Sequence, residues 1–200
     1  MDFPALFREL MVILLGYALG CFATGYYLVR WRTGQDLRQL GSGATGGRNA
    51  GRVLGWPGAV LTGLGDVLKG ALAVWLAFYF GLSLWGAALT MVAALLGHLW
   101  PAQLGFRGGK GLSAAFGGAL VFDYRFTLGV AVLALLMGAL TRRFRFTAGF
   151  MLVIALAPAA AVLVGLALPG VAGVAAIAIL ILYAHRANIR ALFMPAARGK

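Results

Sequence analysis

The sequence predicts an all-α, polytopic transmembrane bundle of about seven spans, with the N-terminus outside and the C-terminus cytoplasmic. Three observations lead there. Of 200 residues, 62% are hydrophobic and 11% charged, at a mean hydropathy of +0.92, which is too little charge to coat a soluble domain of this length. Several uncharged runs approach or exceed the roughly 20 residues that a helix needs to cross hydrocarbon, and they lack the strict alternation of barrel strands. The cations are also one-sided. Of 17 Lys and Arg, Arg8 and Arg125 flank one set of run ends and Lys69 lies inside a run; the remaining fourteen flank the other set. Such an excess marks the cytoplasmic side.

Residues 10–29 form the first expected span, with Gly16, Gly20 and Gly25 suited to close helix contact in lipid. Arg30 and Arg32 end it, and the connection that follows, GSGATGGRNAGR over residues 41–52, is rich in glycine and arginine. Residues 58–80 form the second span, which holds Asp66 and Lys69 three positions apart and able to pair. Charges inside a span are costly and point to function, while an ion pair bracing the loops explains them equally well. Residues 84–100 form the third span and deliver His98 into GHLWPAQLGFRGGKGLS, residues 97–113. Residues 111–122 and 127–141 are awkward, at about 18 and 22 Å of helix. They read as two short tilted spans or one re-entrant hairpin. Residues 147–168, with Pro158 as a kink, and residues 171–184 complete the count. The whole chain, 1–200, reads as one integral-membrane domain whose first helix is retained. Cys21 is the only cysteine, so no intrachain disulfide forms.

A net charge of +12 carried at run ends suits headgroups and anionic substrates rather than nucleic acid. Three clusters fall on the cationic side: Ser42, Arg48, Asn49 and Arg52; then His98, Arg107, Lys110 and the amides of residues 108–111; then His185 and Asn188, with Ile189 nearby. Glycines bring backbone N–H groups close to a bound anion, and arginines match pairs of phosphate oxygens. Two glycine-cation loops exceed what one phosphate requires. The second is not a Walker loop, since Gly111 stands where Ser or Thr binds Mg²⁺. No acid cluster invites a metal and no nucleotide fold is evident, so neither metal nor cofactor is expected. A channel or transporter for a phosphate-containing solute is the alternative. It needs polar groups through the middle of the spans, which are nearly bare here.

On these motifs the chain resembles the bacterial membrane glycerol-3-phosphate acyltransferases that use acyl-phosphate as donor. The family pattern G-S-G-N-x-G-A-T-N-x-x-R-x-x-G is similar to residues 41–55, with Ala44 for Asn and Gly47-Arg48 for Ala-Thr. G-H-x-x-P-x-x-x-x-F-x-G-G-K-G matches residues 97–111 at every fixed position, and D-x-x-K-G appears as Asp66, Lys69 and Gly70. H-R-x-N-I-x-R-L followed by G-x-E is met at His185, Arg186, Asn188, Ile189 and Leu192, with Ala191, Met194 and Ala196 departing and Arg190 one residue early.

The resemblance implies transfer of an acyl chain from acyl-phosphate to the 1-hydroxyl of glycerol 3-phosphate. It implies a monomer in a bacterial cytoplasmic (inner) membrane, in contact with membrane lipids, with its active site facing the cytoplasm. Ser42, Arg52, Lys110, His185 and Asn188 are the expected catalytic residues. Gly41, Gly43, Arg48, Asn49, His98, Arg107, Gly108, Gly109, Gly111 and Arg186 are expected to bind substrate. Ser42 either holds phosphate or attacks the donor, the former being favoured because no Ser-His-Asp set is evident. The proton acceptor is either His185 or the donor phosphate.

Overall fold

The computed structural model describes residues 3–141 and 146–193. The apolar runs give helices α1 (Phe3–Cys21), α2 (Thr24–Thr33), α3 (Gly47–Tyr79, with Pro57 inside), α4 (Leu84–Leu99), α5 (Leu112–Phe122), α6 (Tyr124–Thr141), α7 (Phe146–Leu163, with Pro158 inside) and α8 (Leu168–Ala184), and the polar α9 (Arg186–Phe193) follows. Small residues set how they meet. Gly16 and Gly20 of α1 abut Thr90 and Ala94 of α4, and Gly70 and Gly117 seat α3 against α5 at Ala114 and Val67. Backbones packed this closely gain dispersion contacts that lipid tails cannot supply. Val74, Met91, Leu95, Leu99, Ala115, Ile177 and Ile181 form the main core, between α3, α4, α5 and α8.

About seven spans is an overestimate. Among the described residues, four helical segments are long and apolar enough to cross, Phe3–Thr33, Gly47–Tyr79, Leu84–Leu104 and Tyr124–Thr141. A fifth arises if Leu168–Ala184 and Arg186–Phe193, bent by 62°, count as one. The 11 residues of α5 reach only about 16 Å at 1.5 Å per residue, about half of a 30 Å core. Hydropathy registers apolar character but not whether it faces lipid or protein, and α5 spends its apolar residues on its neighbours. The opposed placement of the termini rested on an odd count: four spans put both termini on one face, and five keep them on opposite faces. Arg142, Arg143, Arg145, Arg198 and Lys200, part of the charge argument, lie outside the described residues, as do Met194 and Ala196.

Two breaks shape the cationic end. The first separates α1 from α2 at Phe22–Ala23, where the Cys21 carbonyl accepts from Gln103 Nε2 at 2.6 Å and the Phe22 carbonyl from Lys69 Nζ at 2.6 Å. Both side chains thus satisfy carbonyls that the interrupted helix leaves unpaired. The second break is Gly55, at φ 70° and ψ −169° inside α3, a conformation open essentially only to glycine. There residues 47–54 fold back along residues 56–63. A Cβ on Gly47 or Gly51 would stand 2.8 Å from an atom of Ala59. The stretch expected as a surface loop therefore returns toward the bundle and brings its N-terminal end to the level of Thr62 and Asp66.

Candidate active site

The loop before α3 is built around Asn49, which is 2% exposed. Its Nδ2 donates to the carbonyls of Leu37, Leu40 and Ala44 at 2.9–3.1 Å, and its Oδ1 accepts from the Ser42 amide at 3.0 Å. Asn49 is thus occupied in holding residues 37–44 in shape. Gly41 and Gly43 turn the same loop at positive φ. Outside it, Arg38 forks onto Asp36 and reaches the Leu104 carbonyl at 2.6 Å, which holds the Asp36 carboxyl below its ordinary range.

The second loop rests on His98. The Gly108 and Gly109 amides donate to the carbonyls of Leu99 and His98, each at 3.1 Å. The Gly109 Cα lies flat on the His98 imidazole, so a methyl group there would collide with Nε2. Glycine is required at 109 for this contact, while its amide is committed to the His98 carbonyl. The loops are joined where the Thr45 amide donates to the Gly108 carbonyl at 3.3 Å, and Lys110 Nζ donates to Asn188 Oδ1 at 3.0 Å.

The three clusters therefore converge on one cavity of about 320 Å³. Ser42, Arg48, Asn49, Arg52, His98, Lys110, Gly111, His185 and Asn188 line it. Of the remaining expected site residues, Gly41, Gly43, Arg107, Gly108, Gly109 and Arg186 do not. Arg186 lies over Tyr183 at 4.1 Å and donates to its carbonyl. Two helix N-termini open into the same space, α3 at Gly46, Gly47 and Arg48, and α5 at Gly111, Leu112 and Ser113. Unpaired N–H groups and the helix dipole favour an anion at each. Arg48, Arg52 and Lys110 have no acidic partner among the described residues. Burial, then the charges of Arg48 and Arg52, hold Lys110 below its ordinary range.

His185 is 5% exposed, and its Nδ1 lies 2.9 Å from the Ile181 carbonyl. A carbonyl only accepts, so Nδ1 carries the proton and Nε2 is left as an acceptor. Ser42 Oγ has no histidine partner among the described residues, and these hold no group of three or more His, Cys, Asp or Glu placed to ligate a metal.

Sequence reasoning missed several lining residues. Gly46, Gly47, Ser113, Phe150 and Met151 border the cavity, as does Asp66, which the sequence marked as a costly intramembrane charge without placing it at the site. Gly46 and Gly47 sit inside the recognised glycine run, but Phe150 and Met151 look like any lipid-facing pair. Against the polar cavity lies an apolar one of about 370 Å³, walled by residues such as Phe116, Val130, Ala134, Ile154 and Ile177. Leu112, Ser113 and Phe150 border both.

The family model for glycerol-3-phosphate acyltransferase matches residues 10–194. "Glycerol-3-phosphate acyltransferase 1" of Desulfitobacterium hafniense is 47% identical over 188 residues, covering 91% of this chain and 89% of that one. "Glycerol-3-phosphate acyltransferase" of Rubrobacter xylanophilus is 39% identical over 184 residues, covering 92% of this chain and 91% of that one. Among solved structures, the glycerol 3-phosphate form of PlsY (YgiH), an integral membrane glycerol 3-phosphate acyltransferase, superposes with a TM-score of 0.83 at 29% identity, covering 92% of each chain. Its lysophosphatidic acid form gives 0.80 at 27% identity, covering 92% of this chain and 91% of that one.

Proposed function

Because the chain belongs to the glycerol-3-phosphate acyltransferase family, we propose that its polar cavity is the site where acyl-phosphate meets glycerol 3-phosphate. The enzyme transfers the acyl group between them, giving lysophosphatidic acid and phosphate. One observation carries the assignment of the site: two helix N-termini and three cations that have no acidic partner among the described residues face one cavity that adjoins an apolar one. Two phosphates need that much positive potential, and an acyl tail needs the apolar wall beside it.

An acyl-phosphate is already activated, so the protein's task is to align reactants and balance charge. Lys110, Arg48, Arg52 and the amides of α3 and α5 hold the phosphates, with Ser42 as a further donor. The 1-hydroxyl of glycerol 3-phosphate attacks the acyl carbon, forming the ester C–O bond as the bond from that carbon to the phosphate oxygen breaks. His185 Nε2 takes the hydroxyl proton and returns it to the departing phosphate. Asn188 keeps Lys110 directed into the cavity.

Purified protein incubated with labelled acyl-phosphate, glycerol 3-phosphate and chelator should form lysophosphatidic acid while its intact mass stays unchanged. A kinetically competent acyl adduct on Ser42 would refute direct transfer. Activity with acyl-coenzyme A alone would refute the donor.

The cavity also faces the cytoplasm in this reading. Arg30, Arg32, Arg38, Arg48, Arg52, Arg107, Lys110, Arg186 and Arg190 all flank helix ends on its side, the distribution of an inner face. Cysteines replacing Arg107 or Arg186 in a Cys21→Ala chain should resist an impermeant maleimide in intact cells and react once the membrane is opened. Labelling in intact cells would place the site on the other side.

A further inference from the structure

Nearly everything that faces the polar cavity donates hydrogen bonds. Arg48, Arg52, Lys110 and the amides at two helix N-termini are donors, and Asn188 Oδ1 is already taken by Lys110. A cavity made only for phosphates needs nothing else. Yet Asp66, 2% exposed, also lines it. Its Oδ1 accepts from Lys69 at 3.0 Å and from Thr24 at 3.4 Å, with His98 Nδ1 at 3.6 Å. Its Oδ2 has no hydrogen-bond partner among the described residues, and it is not among the buried side-chain atoms sealed off without one. The Lys69 ammonium balances the carboxylate's charge at Oδ1, which leaves Oδ2 as the uncommitted acceptor of a residue that lines the cavity.

A carboxylate repels phosphate, so what Asp66 faces in the loaded site must be a donor, and the only donors that the two substrates bring are the hydroxyls of the acceptor. One of these surrenders its proton in the reaction. The other, buried on binding, loses its water and needs an acceptor of its own. We propose that Asp66 Oδ2 accepts a hydrogen bond from the second, non-reacting hydroxyl of the acceptor and makes the enzyme selective for phosphomonoesters that carry two free hydroxyls over those that carry one. This rests on the reading of the cavity as the acyl-transfer site. It gives the intramembrane carboxylate a role distinct from that of Lys69, which caps the break in the first span.

The test compares glycerol 3-phosphate with 3-hydroxypropyl phosphate, which lacks only the second hydroxyl. A hydrogen bond to a charged group predicts that the wild-type enzyme favours glycerol 3-phosphate by roughly 10- to 100-fold in kcat/KM. Asp66→Asn should narrow the preference to about 3-fold or less, because the charged acceptor is gone. The double variant Asp66→Asn, Lys69→Met removes both charges and serves if the single change leaves the lysine unbalanced and the fold damaged. Where a variant does not turn over, dissociation constants for the two acceptors, measured calorimetrically without donor, replace the rates. Equal use of the two acceptors by the wild-type enzyme, or a preference as large in the variants, overturns the proposal. Absence of ester product with either acceptor instead overturns the acyl-transfer reading, and the proposal with it.

Discussion

Lys110→Met is expected to lower kcat/KM for glycerol 3-phosphate by about 10²- to 10³-fold, the usual cost of removing one preorganised charged donor from a transition state. Lys110 is the cation that both loops and the third cluster position: it follows the glycine turn seated on His98, borders the N-terminus of α5 and is held by Asn188 at 3.0 Å. No neighbouring lysine can stand in among the described residues, since Lys69 is turned to Phe22 and Asp66. The pH dependence carries a second signature. Burial first, and Arg48 and Arg52 next, push the Lys110 ammonium below the ordinary lysine range. A depressed lysine loses its charge earlier as pH rises, so the alkaline limb of kcat/KM, which reports the free enzyme, should lie lower than an ordinary lysine would place it. Removing a neighbouring cation with Arg48→Gln should move that limb back to higher pH. Activity of Lys110→Met within 3-fold of wild type, or a limb unmoved by Arg48→Gln, would take Lys110 out of the site.

Gly70→Val is expected to abolish the folded protein, whereas Gly63→Ala on the same helix should be tolerated. A Cβ on Gly70 would strike the carbonyl oxygen of Ala114, which is backbone and cannot swing aside. Overpacking typically costs about 1–3 kcal/mol, and more where only backbone can yield. A Cβ on Gly63 meets nothing within 4 Å, and glycine to alanine in an open helical position stabilises by about 0.4–1 kcal/mol. Fluorescence-detected size exclusion over a temperature series separates the two. A Gly70→Val protein that melts with the Gly63→Ala protein would mean that α3 and α5 do not cross this closely.

The convergence of three distant clusters was legible because its signal is chemical: glycine and cations are rare among apolar residues, so each departure stood out. What remained hidden was geometric. Residues 41–52 read as a glycine-cation loop for an anion, yet Gly47 and Gly51, four positions apart, are the packing face of a helix folded on Ala59, and Gly55 is the break that lets it fold back. Gly108 and Gly109 read as amide donors to an anion. Sequence could not reveal that one carbonyl, that of His98, and its imidazole already claim Gly109. Span number failed for α5 because a short helix buried against protein carries the same hydropathy as one in lipid. Asp66 and Lys69 were correctly seen as a pair, but their separate duties depend on partners 42 and 47 residues away.

The break between α1 and α2 bears on how the protein is made. A ribosome delivers the first span to the membrane before the residues that complete it exist. The lysine that caps Phe22 follows 47 positions later, and the glutamine that caps Cys21 follows 82 later. Carbonyls bare to hydrocarbon cost several kcal/mol each, so the nascent first helix must wait at a shallower, hydrated depth, or stay unbroken, until α3 and then the loop after α4 arrive. Biogenesis thus runs in an enforced order: the N-terminal segment, synthesised first, settles only after α4 and the loop beyond it, and that end closes as the chain supplies its own later plugs.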